Sequence, residues 1–145
     1  MSRNRTSYEK ILSANDTGGN GTHQAGILIP KSETGLLELF PHLDPAIYNP
    51  SAYITVKGPD EARHKLRFIY YNNKLHGRGT RNEYRLTCLT DFLRRHRSTP
   101  GDSFRITRDE NGCLSMEVIK NQTAITTEST EIPNIIHLRG WSRVC

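Results

Sequence analysis

The sequence predicts a mainly β protein, a barrel or sandwich of short strands. Two observations carry this. Segments alternating apolar and polar residues recur along the chain, and each is bounded by Gly, Pro, Asn or Asp. Helical spacing is confined to two short stretches, 32–39 and 89–96. A length of 145 residues, 34% of them apolar, makes one domain with a modest core and a large polar surface.

Taken in order, Tyr8 to Leu12 reads as a first strand and Gln24 to Pro30 as a second. Between them Ala14 to Gly26 reads ANDTGGNGTHQAG, longer and more polar than the two to five residues a hairpin needs. Ser32 is placed to cap a short helix through Leu39, with Leu36, Leu37 and Phe40 buried and Pro41 as its stop. Ser51 to Lys57 alternates Ala52, Ile54 and Val56 against Tyr53 and Thr55, a half-buried strand that Gly58-Pro-Asp turns.

Arg63 to Asn72 is a further strand, with Leu66, Phe68 and Tyr70 on one face. Asn73 to Thr80 is a second polar, Gly-rich arm, and Arg81 to Thr87 is extended again. Leu89 to His96 is the second short helix, with Thr87 or Thr90 as cap and Leu89, Phe92 and Leu93 facing the core. Thr99-Pro-Gly-Asp is a turn, and 104–108 with 114–120 form a hairpin around Asp109-Glu-Asn-Gly. Periodicity fades after Thr126, so the domain is drawn at 1–126 and 127–145 is taken as an extension or linker. Its last residues, IIHLRGWSRVC, either pack back or reach toward a partner.

Composition narrows the function. No apolar run approaches the 18 or so residues of a transmembrane helix, and MSRNRTSYEK lacks a signal peptide's hydrophobic segment. The expectation is a soluble cytoplasmic protein without a membrane partner. Cys88, Cys113 and Cys145 are odd in number and widely spaced, which suits reduced thiols rather than a disulfide framework or zinc knuckle. The six histidines show no metal-ligand spacing, so neither metal nor cofactor is expected. Net charge is +5, and half of the 20 Lys and Arg lie between Arg63 and Arg97, against Glu83 and Asp91 alone. Such a concentration either forms a solvated face or draws a polyanion, nucleic acid first.

An enzymatic reading finds little purchase. Asp60-Glu61 with Lys65 hints at a metal-dependent nuclease, but no Glu/Asp-x-Lys follows at the distance needed to converge two carboxylates on a metal. Glu83-Tyr84-Arg85 has Arg in place of Lys, and Glu117-Val-Ile-Lys120 is one residue too long. Gly77-Arg-Gly79 lacks the third glycine of a dinucleotide loop.

The two arms fit a binding module better. Arg donates two bonds to guanine O6 and N7, Asn and Gln bridge adenine N6 and N7, and a carboxylate accepts from cytosine N4. Arg81, Asn82, Glu83 and Arg85 supply all three within five residues, and alternation sets Arg81, Glu83 and Arg85 along one side of a strand. The competing reading has Glu83 merely holding an arginine in place. The first arm adds Asn15, Asp16, His23 and Gln24 as base-reading candidates, amid glycines that admit close backbone approach. Lys74, Arg78, Tyr84, Arg94, Arg95, Arg97 and Arg105 are candidates for contact with the DNA backbone.

Leu12-Ser-Ala-Asn-Asp-Thr-Gly18, His23-Gln24, Ile29-Pro30, Ile69-Tyr-Tyr-Asn72 and Thr80-Arg-Asn-Glu83 with Arg85, in that order, resemble the N-terminal effector domain of EcoRII-type restriction endonucleases from about Tyr8 to Thr87. The resemblance implies a seven-stranded B3-like DNA-binding pseudobarrel with two short helices, whose N-arm and C-arm grip the major groove of double-stranded DNA. It implies that Arg81, Glu83, Arg85 and His23 bind the target, that the target is CC(A/T)GG-like, and that this non-catalytic domain of a type II restriction endonuclease serves a separate C-terminal catalytic nuclease domain. Two departures, Gly79 before and Tyr84 within the Thr-Arg-Asn-Glu region and GGNGTHQ in the N-arm, touch the backbone contacts and the middle of the site rather than the Arg-Glu-Arg core. The rival expectations are a stand-alone DNA-cleaving nuclease and a single-stranded nucleic-acid-binding module using Tyr70, Tyr71 and Tyr84.

Overall fold

Period-two alternation becomes strand wherever the sequence carries it. The computed structural model describes residues 5–17, 26–121 and 141–144, with Asn15 described by its backbone alone. The strands are β1 (Thr6–Ile11), β2 (Ile27–Ile29), β3 (Ser51–Lys57), β4 (Arg63–Tyr71), β5 (Glu83–Thr87), β6 (Ser103–Arg108), β7 (Leu114–Ile119) and β8 (Trp141–Arg143). The helices are α1 (Ala14–Thr17), α2 (Thr34–Leu37) and α3 (Thr90–Arg95), with a 3-10 turn at Asn73–His76.

All eight strands join one mixed sheet in the order β2-β5-β4-β3-β7-β6-β1-β8. Only β3 and β7 run parallel among the paired strands. The two edges of this sheet meet: the indole N–H of Trp141 on β8 donates to the carbonyl of Leu28 on β2 at 3.0 Å. A sheet that curls until its edges touch shields the strand borders that would otherwise template pairing with another chain. The Trp141 ring is buried and stands edge-on to Phe104, so residues predicted to lie in an extension complete the core.

Inside the curl lie the apolar members of the alternating strands. Leu66, Phe68 and Tyr70 of β4 are all buried, as is Leu86 of β5. Phe40, Phe68, Tyr84 and Tyr70 stack in series with near-parallel planes, at centroid separations of 4.6, 5.4 and 4.4 Å. Burying a Phe-sized side chain contributes about 1.5–3 kcal/mol, so this ladder is a large part of what holds β4, β5 and the segment after α2 together. Tyr8 packs close beneath α2, where a Cβ on Gly35 would meet the Tyr8 hydroxyl.

Several local expectations are corrected. Eight strands are found among the described residues rather than seven, with β8 pairing to β1. Three short α-helices are described rather than two, and each arm carries a helical turn: α1 in the first and the 3-10 turn in the second. The α2 helix is capped at Glu33, not Ser32, and ends at Leu37; Leu39 and Phe40 bury themselves in the turn that follows. Neither threonine caps α3, whose N-cap is Leu89; the Thr87 hydroxyl donates instead to the carbonyl of Arg67. Burial of Leu89 and Phe92 fixes this helix start in place of a hydroxyl. The β6–β7 hairpin forms as expected, with Gly112 at φ 87° and the Asp109 carboxylate accepting from the backbone N–H of Asn111 and Cys113.

Candidate nucleic-acid interface

β5 supplies the centre of the site. Alternation sends Leu86 and the Tyr84 ring inward, so Glu83 and Arg85 project from the opposite face. Glu83 Oε2 accepts from Nε of Arg85 at 2.8 Å and from Nη2 of Arg81 at 3.0 Å. Partial burial pushes the Glu83 carboxyl upward, but hydrogen bonds from Arg85 and Arg81 outweigh it and hold its pKa below the usual carboxylate range. The carboxylate is therefore ionised and aims two guanidinium groups at once.

Each arginine has a second anchor. The Arg81 guanidinium lies 3.8 Å from the centroid of the Tyr71 ring, a cation–π contact that holds its plane. Arg85 Nη1 donates to the carbonyl of Gly26, where the first arm re-enters the sheet, at 2.9 Å. Gly26 has φ 100°, and a Cβ there would sit 2.2 Å from the Leu86 carbonyl oxygen, so only glycine allows this approach of β2's entry to β5. The roots of both arms are thus joined through one arginine.

The second arm rises from Asn72, a fully buried amide. Its Oδ1 accepts from the Asn49 N–H, and its Nδ2 donates to the carbonyls of Pro45 and Ile47. Asn49 returns the contact by accepting from the Asn72 N–H. Further out, Asn73 donates to the Tyr48 hydroxyl and the Arg78 guanidinium lies over the Tyr48 ring. The 44–49 loop thereby props the arm along its length. Lys74 N–H to the Arg81 carbonyl closes the arm, and Gly77 at φ 68° ends the 3-10 turn.

The first arm leaves β1 through a capping box. Asp16 N–H donates to Ser13 Oγ while Ser13 N–H donates to Asp16 Oδ2, and the same carboxylate oxygen pairs with Lys10 at 2.6 Å. Just before it, Leu12 exchanges backbone hydrogen bonds with the Thr99–Asp102 turn.

The predicted site residues divide accordingly. Arg81, Glu83 and Arg85 converge, and Asn82 lies between them with its Oδ1 held by the Tyr70 hydroxyl at 2.6 Å. Lys74 and Arg78 stand exposed on the second arm. Arg94 and Arg95 are exposed on α3, with Arg97 just beyond it. Asp16 is engaged by Lys10 and its own cap, the Tyr84 ring sits inside the aromatic stack, and Arg105 on β6 pairs with Glu9 and Glu117, four strand steps from β5. Each of these three has a structural partner where it stands. Asn15 lies in α1, and His23 and Gln24 lie outside the described residues. Sequence reasoning missed Tyr71, Asn72 and Tyr48 as supports; Tyr71 was legible as the same-face neighbour of Glu83, but the loop that meets Asn72 lies 23 residues away. Asp60 of the nuclease alternative sits in the β3–β4 turn, accepting from Ala62 N–H, and no three His, Cys, Asp or Glu converge among the described residues.

Comparison with known proteins meets this geometry. One relative, the type II restriction enzyme EcoRII of Escherichia coli, is 45% identical over 84 residues, which is 55% of this chain and 20% of that enzyme. The chain thus spans about one fifth of the length of the relative it matches. The family described as restriction endonuclease EcoRII, N-terminal, matches residues 2–97, which takes in both arms and β1 through β5. The chain belongs to the EcoRII N-terminal domain family.

Proposed function

We propose that this domain binds double-stranded DNA in a sequence-specific manner, its two arms entering the major groove as in a B3-type pseudobarrel. The observation that carries the reading is the Arg81–Glu83–Arg85 cluster, two guanidinium groups oriented by one carboxylate at the junction of both arms. Arg81 and Arg85 donate to guanine and Glu83 accepts from cytosine, with Asn82 beside them and Asn15, His23 and Gln24 of the first arm reading the other part of a short site. Lys74, Arg78, Arg94, Arg95 and Arg97 contact phosphates. Family membership and the name of the Escherichia coli relative support a role as part of a type II restriction endonuclease; in this reading the domain is its recognition or effector part, the target is CC(A/T)GG-like and cleavage is left to a separate catalytic domain.

Selection of bound duplexes from a randomised pool tests the reading directly. A short enriched motif is expected, and Arg81→Ala should cost about 1–3 kcal/mol on that motif while leaving random duplex nearly unaffected. Equal weakening on both, or no enriched motif, would overturn it.

A further inference from the structure

Arg63, Lys65 and Arg67 are alternate residues of β4, so they project from one face. The opposite face is fixed as the inner one by buried Leu66, Phe68 and Tyr70. The β4–β5 register pairs Arg67 with Thr87, Ile69 with Arg85 and Tyr71 with Glu83. Cross-strand partners share a face, so the three cations lie on the same side of the sheet as the Arg81–Glu83–Arg85 cluster and lead away from it in a line. At 3.2–3.4 Å per residue, the line from Arg63 to Tyr71 is about 27 Å long.

Nothing acidic neutralises this row among the described residues. Lys65 sits 4.8 Å from the centroid of the Tyr53 ring, and Arg67 Nε donates to Ser51 Oγ at 3.0 Å. Of the two acids in the adjoining turn, Glu61 pairs with Lys57 and Asp60 accepts from the Ala62 N–H. Cations two residues apart on a strand repel one another. The face tolerates that cost without a compensating carboxylate, and it presents its charges at regular intervals. A phosphate backbone is the complementary surface.

We propose that Arg63, Lys65 and Arg67 bind phosphates on one flank of the DNA site, extending the footprint along β4 beyond the base pairs that the arms read. The proposal rests on the double-stranded DNA reading given above. Three phosphates neutralised give a slope of log K against log salt steeper by about 2.7.

The test compares the chain with its Arg63→Ala/Lys65→Ala/Arg67→Ala variant on CC(A/T)GG duplexes trimmed or extended on either side, and on random duplex, across a salt series. The expected result is a slope shallower by about 2 to 3 in the variant on every duplex, with target-to-random discrimination kept. Extension of the duplex on one side should strengthen binding of the wild type and not of the variant. Lys65→Gln alone, a change at an exposed position, should remove about 0.9 of the slope and serves where the triple variant folds poorly. A variant that keeps the wild-type slope and flank dependence overturns the proposal. Failure of the wild type to prefer any sequence would instead sink the sequence-specific reading, and the slope on random duplex still judges the row.

Discussion

Arg85 holds Glu83 through a 2.8 Å hydrogen bond from Nε to Oε2, and that same oxygen also receives Arg81. One ionised carboxylate therefore sets the direction of two guanidinium groups. Glu83→Gln keeps the shape, leaves an amide oxygen where Oε2 stood and loses the charge that orients both arginines. Discrimination between the preferred duplex and random duplex should fall by about 1–3 kcal/mol. Affinity for random duplex should hold or rise, because a negative charge leaves a basic surface. Binding titrations on the two duplexes measure both quantities, and a parallel loss on both would show that Glu83 only supports folding.

Gly26 tests how tightly the two arms are tied. Ala at this position carries the cost of φ 100° and drives its Cβ into the Leu86 carbonyl, whose backbone cannot swing aside. The conformational part alone costs about 1–3 kcal/mol. Gly112→Ala is the control, since Gly112 has φ 87° but open space around it. Urea unfolding should place Gly26→Ala well below Gly112→Ala, and the gap between them isolates the steric contact. Equal midpoints would mean that β2 does not approach β5 this closely in solution.

The strands were legible because alternation is a local signal: 51–57 and 63–71 follow Ala52-Ile54-Val56 and Leu66-Phe68-Tyr70 almost residue for residue. Glu83 and Arg85 were legible for the same reason, their spacing of two putting both side chains on one face of β5, and Arg81, just before the strand, joins them through its hydrogen bond to Glu83. What escaped was set by distance along the chain. Trp141 has no sequence neighbour that announces a strand, and it joins the sheet by pairing with β1 and bonding to Leu28, 113 residues away. Arg105 was read as a candidate for the DNA backbone, and its pairing with Glu9, 96 residues earlier, could not be seen locally. Tyr84 was read as a candidate for the DNA backbone, and its place in the strand turns the ring to the inner stack.

Asn72 is the latch of the second arm. Replacing it with Ala leaves the carbonyl of Ile47 and the N–H of Asn49 without their partner, and leaves the Pro45 carbonyl with His76 Nε2 at 3.1 Å. Each hydrogen bond lost removes about 0.5–1.5 kcal/mol, so losing three should cost about 2 kcal/mol or more in urea unfolding. The 44–49 loop also carries Tyr48 beneath Asn73 and Arg78, so its release should loosen the arm. Amide hydrogen exchange at Lys74 to Gly77 should accelerate more than at Leu66 or Phe68 in the same variant. Uniform acceleration across the chain would show global destabilisation without a specific latch.

Asp102 fixes the other arm at its root and gives the fold an acid limit. The carboxylate is buried and its pKa is lowered to about 2: burial raises it, but Lys120 and the N–H groups of Asn121 and Thr99, with the Thr99 hydroxyl, more than offset this. A carboxyl depressed on folding contributes stability that is complete above its unfolded value, near 3.8, and lost as pH falls toward the folded value. The contribution is about 2 kcal/mol at neutral pH, and it disappears between roughly pH 5 and pH 2. Asp102→Asn removes the charge and should unfold more readily at neutral pH while showing a flatter acid dependence than the wild type over that window. Because the Asp102 carbonyl also accepts from Leu12 N–H at 2.7 Å, where β1 passes into the first arm, DNA binding should weaken along with stability as acid is added. Parallel acid profiles for the two proteins would show that some other carboxylate sets the limit.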